Sequence, residues 1–259
     1  MARGRWAAIM MGLAATAGAP PLAAAAERLD VRYEAFAAGF PVARFDFRLK
    51  EASGSYVVDG EIRTEGLLRL FYRVTLQTAS EGALAAAAVA PHSHEQVMDA
   101  GGKDREAHLQ YPGDGRVLAQ LVPPDDPGRP KPTPQQILDT IDPLSAILAI
   151  GRYAARAGSC GGRFAVFDGR RRYDVVLRDE GSERIVAAPA VAFDGMARRC
   201  RVAAVKIAGF SNDLDYSPHT TMARAWLASP RAGAPALPLR VDFDSSWGLV
   251  EVRMTAVGK

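Results

Sequence analysis

Apolar and polar residues alternate with a period of two along most of this chain, and a chain patterned in this way can bury its apolar half only by laying it on one face of a sheet. Leu29, Val31, Tyr33 and Ala35 alternate with Asp30, Arg32 and Glu34, and Ala43, Phe45, Phe47 and Leu49 alternate with Arg44, Asp46, Arg48 and Lys50. Gly39 and Pro41 mark the turn between these two runs. Tyr56, Val58 and Ile62 continue the pattern, with Gly60 standing where a bulge or bend is expected, and Leu70, Tyr72, Val74 and Leu76 supply the next apolar face. Further runs at 92–98, 106–111 and 117–122 bring the expectation to about seven strands before any helical pattern begins.

That helical pattern occupies 133–158. Thr133 and Pro134 form a start signal, and Asp142 and Pro143 repeat it, which predicts two helices joined at a kink. Ile137, Ile141, Leu144, Leu148, Gly151 and Ala155 recur at spacings of three and four, so one apolar stripe needs a surface to cover, and Gly158 is the expected stop. The preceding segment from Val122 to Pro134 holds six prolines in thirteen residues and reads as a connection, because proline cannot join a central ladder. Beyond the helix, runs at 163–167 and 170–177 flank Asp168-Gly169, the strongest short hairpin signal in the chain. Strands are also expected at 184–188, 198–207, 221–227, 237–243 and 248–257.

Roughly a dozen antiparallel strands accumulate enough twist to curl. The expected fold is therefore mainly β: a large curved antiparallel sheet or incomplete β-barrel, with one helical insertion covering its concave face or end. Residues 27–259 are read as one such domain. Residues 1–26 have a basic start at Arg3 and Arg5, an apolar middle and a small-residue exit at Ala24, Ala25 and Ala26, the pattern of a cleavable export signal. Cleavage near Ala26 and a periplasmic address follow as expectations. No other stretch approaches the ~20 apolar residues of a membrane helix, so no transmembrane segment is expected in the mature chain.

Charge excludes one class of partner. Without Arg3 and Arg5 the chain keeps 30 basic against 29 acidic residues, scattered along its length, so nothing suggests a nucleic-acid footprint. Cys160 and Cys200 are the two cysteines, and in an oxidising compartment a disulfide is the default. A redox pair would want C-x-x-C spacing, which is absent.

The residues TIDPLSAILAI (140–150), Cys160, VFDGRRRYDVVL (166–177), Cys200 and LPLRVDFDSSWG (237–248) resemble the exported bacterial family known as domain of unknown function 3108. The resemblance spans nearly the whole mature chain, and its most specific pieces are the Asp-Pro-Leu-Ser helix start and the Phe-Asp-Gly-Arg-Arg-Arg-Tyr-Asp hairpin. It implies the fold and the envelope address and transfers no catalytic residue. At the level of fold alone, a curved sheet with helical cover is similar to periplasmic carriers of lipoproteins and lipids.

Several residues are candidates for a site. Arg170, Arg171 and Arg172 follow the hairpin turn, where they form either a solvated edge that discourages strand addition or a contact for an anion or lipid headgroup at the rim of the concavity. Arg171 is the preferred single choice, because it shares a strand face with Tyr173 and Val175. Leu144 and Leu148 on the helix stripe would face an apolar ligand. His92 and His94, two apart on a strand, would share a side, but a metal would need Glu95, His108 or His219 as a third ligand and nothing in the sequence brings one near. Asn212, Asp213 and Asp215 lack the glycine and closing glutamate of a calcium loop. Tyr33, Phe45, Phe47, Tyr56, Phe71, Tyr72, Trp226 and Trp247 either fill the core or line a pocket. No nucleophile elbow, S-x-x-K pair or phosphate-cradling glycine loop occurs, so neither a catalytic residue nor a cofactor is assigned. The expectation is a non-catalytic binding protein for an apolar or lipid-like ligand or envelope component, with a structural or assembly partner of another envelope protein as the alternative and an uncharacterised enzyme as the third reading.

Overall fold

A computed structural model describes residues 27–85, 88–124, 130–187, 191–210, 220–245 and 248–258. The expected export signal at 1–26, Trp247, His219 and the 212–215 acidic run lie outside these residues.

Seven strands come before the helical segment at 133–158: β1 (Glu27–Ala37), β2 (Phe40–Ala52), β3 (Ser55–Thr64), β4 (Thr75–Leu84), β5 (Val89–Asp99), β6 (Arg105–Gln110) and β7 (Leu118–Val122). Six follow: β8 (Gly161–Phe167), β9 (Arg172–Ile185), β10 (Gly195–Ala208), β11 (Thr220–Ala228), β12 (Leu237–Ser245) and β13 (Gly248–Gly258). All thirteen form one antiparallel sheet, ordered β7-β6-β5-β4-β3-β2-β1-β13-β12-β11-β10-β9-β8. Each strand lies beside its sequence neighbour except at one place. β1 pairs with β13, so the two ends of the described chain meet in the middle of the sheet, and β7 and β8, consecutive in sequence, become its two edges. Whatever joins β7 to β8 must therefore cross the open seam.

The alternation seen in the sequence sorts the two faces. Leu29, Val31, Tyr33 and Ala35 are all buried, and Val31 and Tyr33 stand opposite Phe47 and Phe45 in the β2 register. The other face carries opposite charges across neighbouring strands, including Arg32 with Asp46, Arg48 with Asp30 and Asp59, and Arg240 with Glu251. Such exposed pairs are each worth little, about 0–1 kcal/mol, and serve more to fix register than to stabilise.

Three helices occur among the described residues: α1 (Leu68–Phe71), α2 (Pro134–Ile137) and α3 (Pro143–Ala157). α2 is a single turn closed by a capping box, in which Thr133 and Gln136 each bond the other's backbone N–H. α2 and α3 do not meet at a kink. Asp139 has a positive φ and the chain from Leu138 to Asp142 leaves the helix, so Ile141 instead adds a bridge to Val166 on the edge of β8. The Ile141 N–H donates to Ala165 O and the Phe167 N–H to Ile141 O. Ile137 and Ile141 are thus spent on the seam. The buried stripe of α3 is Leu144, Leu148, Gly151 and Ala154, with Ala155 exposed. Asp142 caps its start, and Gly158, left-handed at φ 60°, ends it.

Three other expectations need correction. The run Leu70–Tyr72 is not strand: after Gly66 the chain turns through α1, and β4 begins only at Thr75. Gly60 makes no bulge, since its register with Phe47 and Thr78 is unbroken. It is glycine because a Cβ there would sit 2.3 Å from the Phe47 ring. Nor is the β8–β9 connection a two-residue turn. Phe167 pairs with Arg172, and Asp168 Oδ1 accepts from the N–H groups of Arg170 and Arg171, folding four residues into the loop.

A crevice beneath the helix

α3 packs on the inner face of the sheet and is held at both ends. At its start the Asp142 carboxylate is fully buried, with Oδ1 accepting from the Ser145 N–H at 2.9 Å and from Ser80 Oγ at 2.6 Å. Ser145 Oγ bonds the other carboxylate oxygen, and Tyr56 OH lies 2.6 Å from Ser145 Oγ. His94 completes the group, its Nδ1 3.3 Å from Asp142 Oδ1 and 2.8 Å from Ser80 Oγ. Burial alone would raise the Asp142 pKa, but the hydrogen bond and charge of His94, with Ser145 and Ser80, hold it below the ordinary carboxylate value. The same burial pushes the Tyr56 hydroxyl upward and keeps it protonated.

Serine, histidine and aspartate here do not make a nucleophilic relay. Such a relay needs serine and carboxylate on opposite ring nitrogens, whereas both approach Nδ1, and the buried Nε2 of His94 has no partner among the described residues. The group acts as a polar rivet from β3, β4 and β5 to the first turn of α3. At the other end, Cys160 is bonded to Cys200 of β10 with Cα atoms 6.0 Å apart, as expected from the sequence. Between the two anchors, Gly151 lies so close to the sheet-side chain that a Cβ would come within 2.2 Å of Ala236 O.

The pinned helix roofs an apolar crevice of about 150 Å³. Leu29, Val31 and Leu49 form its floor and Leu144, Ile147 and Leu148 its roof, and every lining residue is apolar or aromatic. Leu144 and Leu148, chosen from sequence, are among them, as are Tyr33 and Phe47. Ile147 is 45% exposed and marks the mouth.

The arginine trio is distributed rather than gathered at this mouth. Arg170 is buried, and its guanidinium donates to the carbonyls of Glu106, Val122 and Pro123, stitching the β8–β9 loop to the opposite edge of the sheet. Gly169 is pressed against Ala107 and Leu121 at the same place, and Phe167 joins Leu109 and Val117 in a small buried cluster. Arg172 donates to Gln136 O and to Asp174, and with Arg163 it holds the Asp174 carboxyl low, although burial alone would raise it. Arg171 is exposed and stacks 5.8 Å from the Phe210 ring. Tyr173, half-buried, has its hydroxyl pKa raised by burial.

His92 and His94 do not share a side. A bulge opposite Glu81 and Gly82 leaves His92 exposed while His94 is 1% exposed, and no metal-ligand cluster of three occurs among the described residues. Of the aromatic set, Tyr33, Tyr56 and Trp226 are buried, whereas Phe71 and Tyr72 are exposed. The rivet of Ser80, His94, Asp142 and Ser145 escaped sequence reasoning. Its only visible sign was the Asp142-Pro143 helix start, which places a carboxylate at the helix end without saying what else meets it.

Comparison with known proteins agrees with this architecture. The profile of the family described as Protein of unknown function (DUF3108) matches residues 30–255. A solved beta-barrel-like protein of domain of unknown function DUF1849 from Brucella abortus superposes with a TM-score of 0.56 at 11% identity, covering 89% of this chain and 96% of that one. At that identity the likeness is one of fold. No curated protein matches.

Proposed function

The chain belongs to the DUF3108 family of proteins of unknown function, and from that premise, which supplies a fold but no activity, we propose that it is a non-catalytic periplasmic binding protein for an apolar or lipid-like ligand held between α3 and the sheet. The crevice carries this reading. A void lined wholly by apolar groups leaves their contacts unmade, and a space of ~150 Å³ of this kind takes up a molecule about the size of benzene. Here that corresponds to one ring or a short alkyl segment. Because the helix is pinned at both ends, room for a longer chain comes from side-chain rotation at Ile147 and Leu148 rather than from a hinged lid. The bridged Cys160 and Cys200 suit the oxidising envelope that the export signal implies.

Calorimetric titration with straight-chain alkanoic acids of increasing length tests this. Affinity is expected to rise with chain length, with a negative heat-capacity change, and to fall at least about tenfold in Ile147→Trp, which blocks the mouth at an exposed position. No saturable heat at any length, or unchanged binding in Ile147→Trp, would overturn it. A second reading, a structural partner of another envelope protein, is favoured by β7, whose outer edge has no ladder partner among the described residues and which exposes Leu118 and Val122. Crosslinking from position 118 that traps a specific envelope protein would support it.

A further inference from the structure

In the antiparallel register, the β1–β2 turn and the β3–β4 connection lie at one end of the sheet, opposite the β2–β3 turn near which α3 begins. They touch: the Glu65 N–H donates to Val42 O, and Gly66 packs directly on Pro41 O. This end presents an apolar tip. Leu67 is 68% exposed, Leu70 77%, Phe71 80% and Tyr72 60%, with Phe40 beside them at 64%. The tip is not a loose tail, because α1 and its cap are closed by Leu70 N–H to Leu67 O and Tyr72 N–H to Leu68 O.

We propose that this tip inserts into the interfacial layer of an anionic lipid bilayer. Charge complementarity selects that occupant. Arg69 and Arg73 are interleaved with the apolar residues, no acidic residue occurs between Gly66 and Val74, and neither arginine has an ion-pair partner among the described residues. Across the neighbouring β1, β2 and β3 each arginine is paired with a carboxylate, and at the root of this same connection Arg63 and Arg44 are both matched to Glu65. The unmatched positive charge therefore begins where the apolar exposure begins. Leucine and phenylalanine reaching past the headgroups, arginine at phosphate level and tyrosine at the boundary form the arrangement by which amphipathic segments bind membrane surfaces. The proposal does not depend on the crevice under α3.

Sedimentation of the purified protein with vesicles of phosphatidylethanolamine and phosphatidylglycerol tests it. The protein is expected to bind, more weakly as salt rises, and the double variant Leu70→Ser/Phe71→Ser to lose at least about tenfold in partitioning. Arg69→Gln/Arg73→Gln should lose several-fold and abolish the salt dependence, while Ile147→Trp binds vesicles as the unaltered protein does. Thermal melts of the tip variants should be unchanged, since the altered side chains are exposed. Absence of binding to anionic vesicles, or binding that survives the Leu70/Phe71 change, would overturn the proposal. A photocrosslinker at position 71 that captures a protein and no lipid in intact envelopes would overturn it in favour of a protein partner.

Discussion

The two ends of this sheet solve opposite problems with the same kinds of residue. At the α3 end the buried carboxylate is enclosed and matched: Asp142 is bonded by Ser80 and Ser145 with His94 beside it, and a disulfide fixes the far side of the helix. At the opposite end, leucine and phenylalanine stand in solvent beside unmatched arginines. The difference teaches where stability and recognition are separated in this fold. The enclosed end should dominate unfolding, and the exposed end should be replaceable without loss of fold.

The sharpest way to break that contrast is Asp142→Ala, which removes the helix cap and leaves Ser80, Ser145 and His94 buried without their acceptor. It is expected to destabilise by about 3–5 kcal/mol in a denaturant titration. Replacing both cysteines by serine frees a loop of 40 residues and should cost about 2–4 kcal/mol under oxidising conditions. An unchanged midpoint would mean the far end of α3 is held by packing alone. Gly151→Ala forces a Cβ against Ala236 O and should cost about 1–3 kcal/mol, the penalty of overpacking a tight contact.

Acid should read the same rivet. Since the Asp142 pKa is depressed in the folded protein, its contribution is complete above the unfolded value near ~3.9 and is lost as pH falls below that towards the folded value. Stability of the unaltered protein should therefore decline more steeply below about pH 4 than that of Asp142→Asn, and equal slopes would show that the rivet does not titrate as described. The smallest effect is expected at the other end, where Leu70→Ser/Phe71→Ser should change unfolding free energy by no more than about 0.5 kcal/mol.

Much of the architecture was legible because it rests on period and punctuation. Leu29 to Ala35 and Phe45 to Leu49 announced a half-buried sheet, and Asp142, Pro143 and Gly158 bounded α3 correctly. What failed depended on partners distant in sequence. The Leu70–Tyr72 run has strand composition, yet nothing local says that β3 ends at Thr64 and turns first. Gly60 reads as a bend until Phe47 is placed across from it, and Arg170 reads as a rim residue until the β6 and β7 carbonyls close around it. The Ser80–His94–Asp142 group joins residues 14 and 62 positions apart, a distance over which no spacing rule operates.

Native mass spectrometry of protein purified without denaturants from its own cell envelope tests most directly whether the space under α3 is a binding site. A bound apolar molecule, released on unfolding and absent from Ile147→Trp, is the predicted result. Bare polypeptide mass for the unaltered protein, in preparations where no apolar molecule is recovered by solvent extraction, would contradict it.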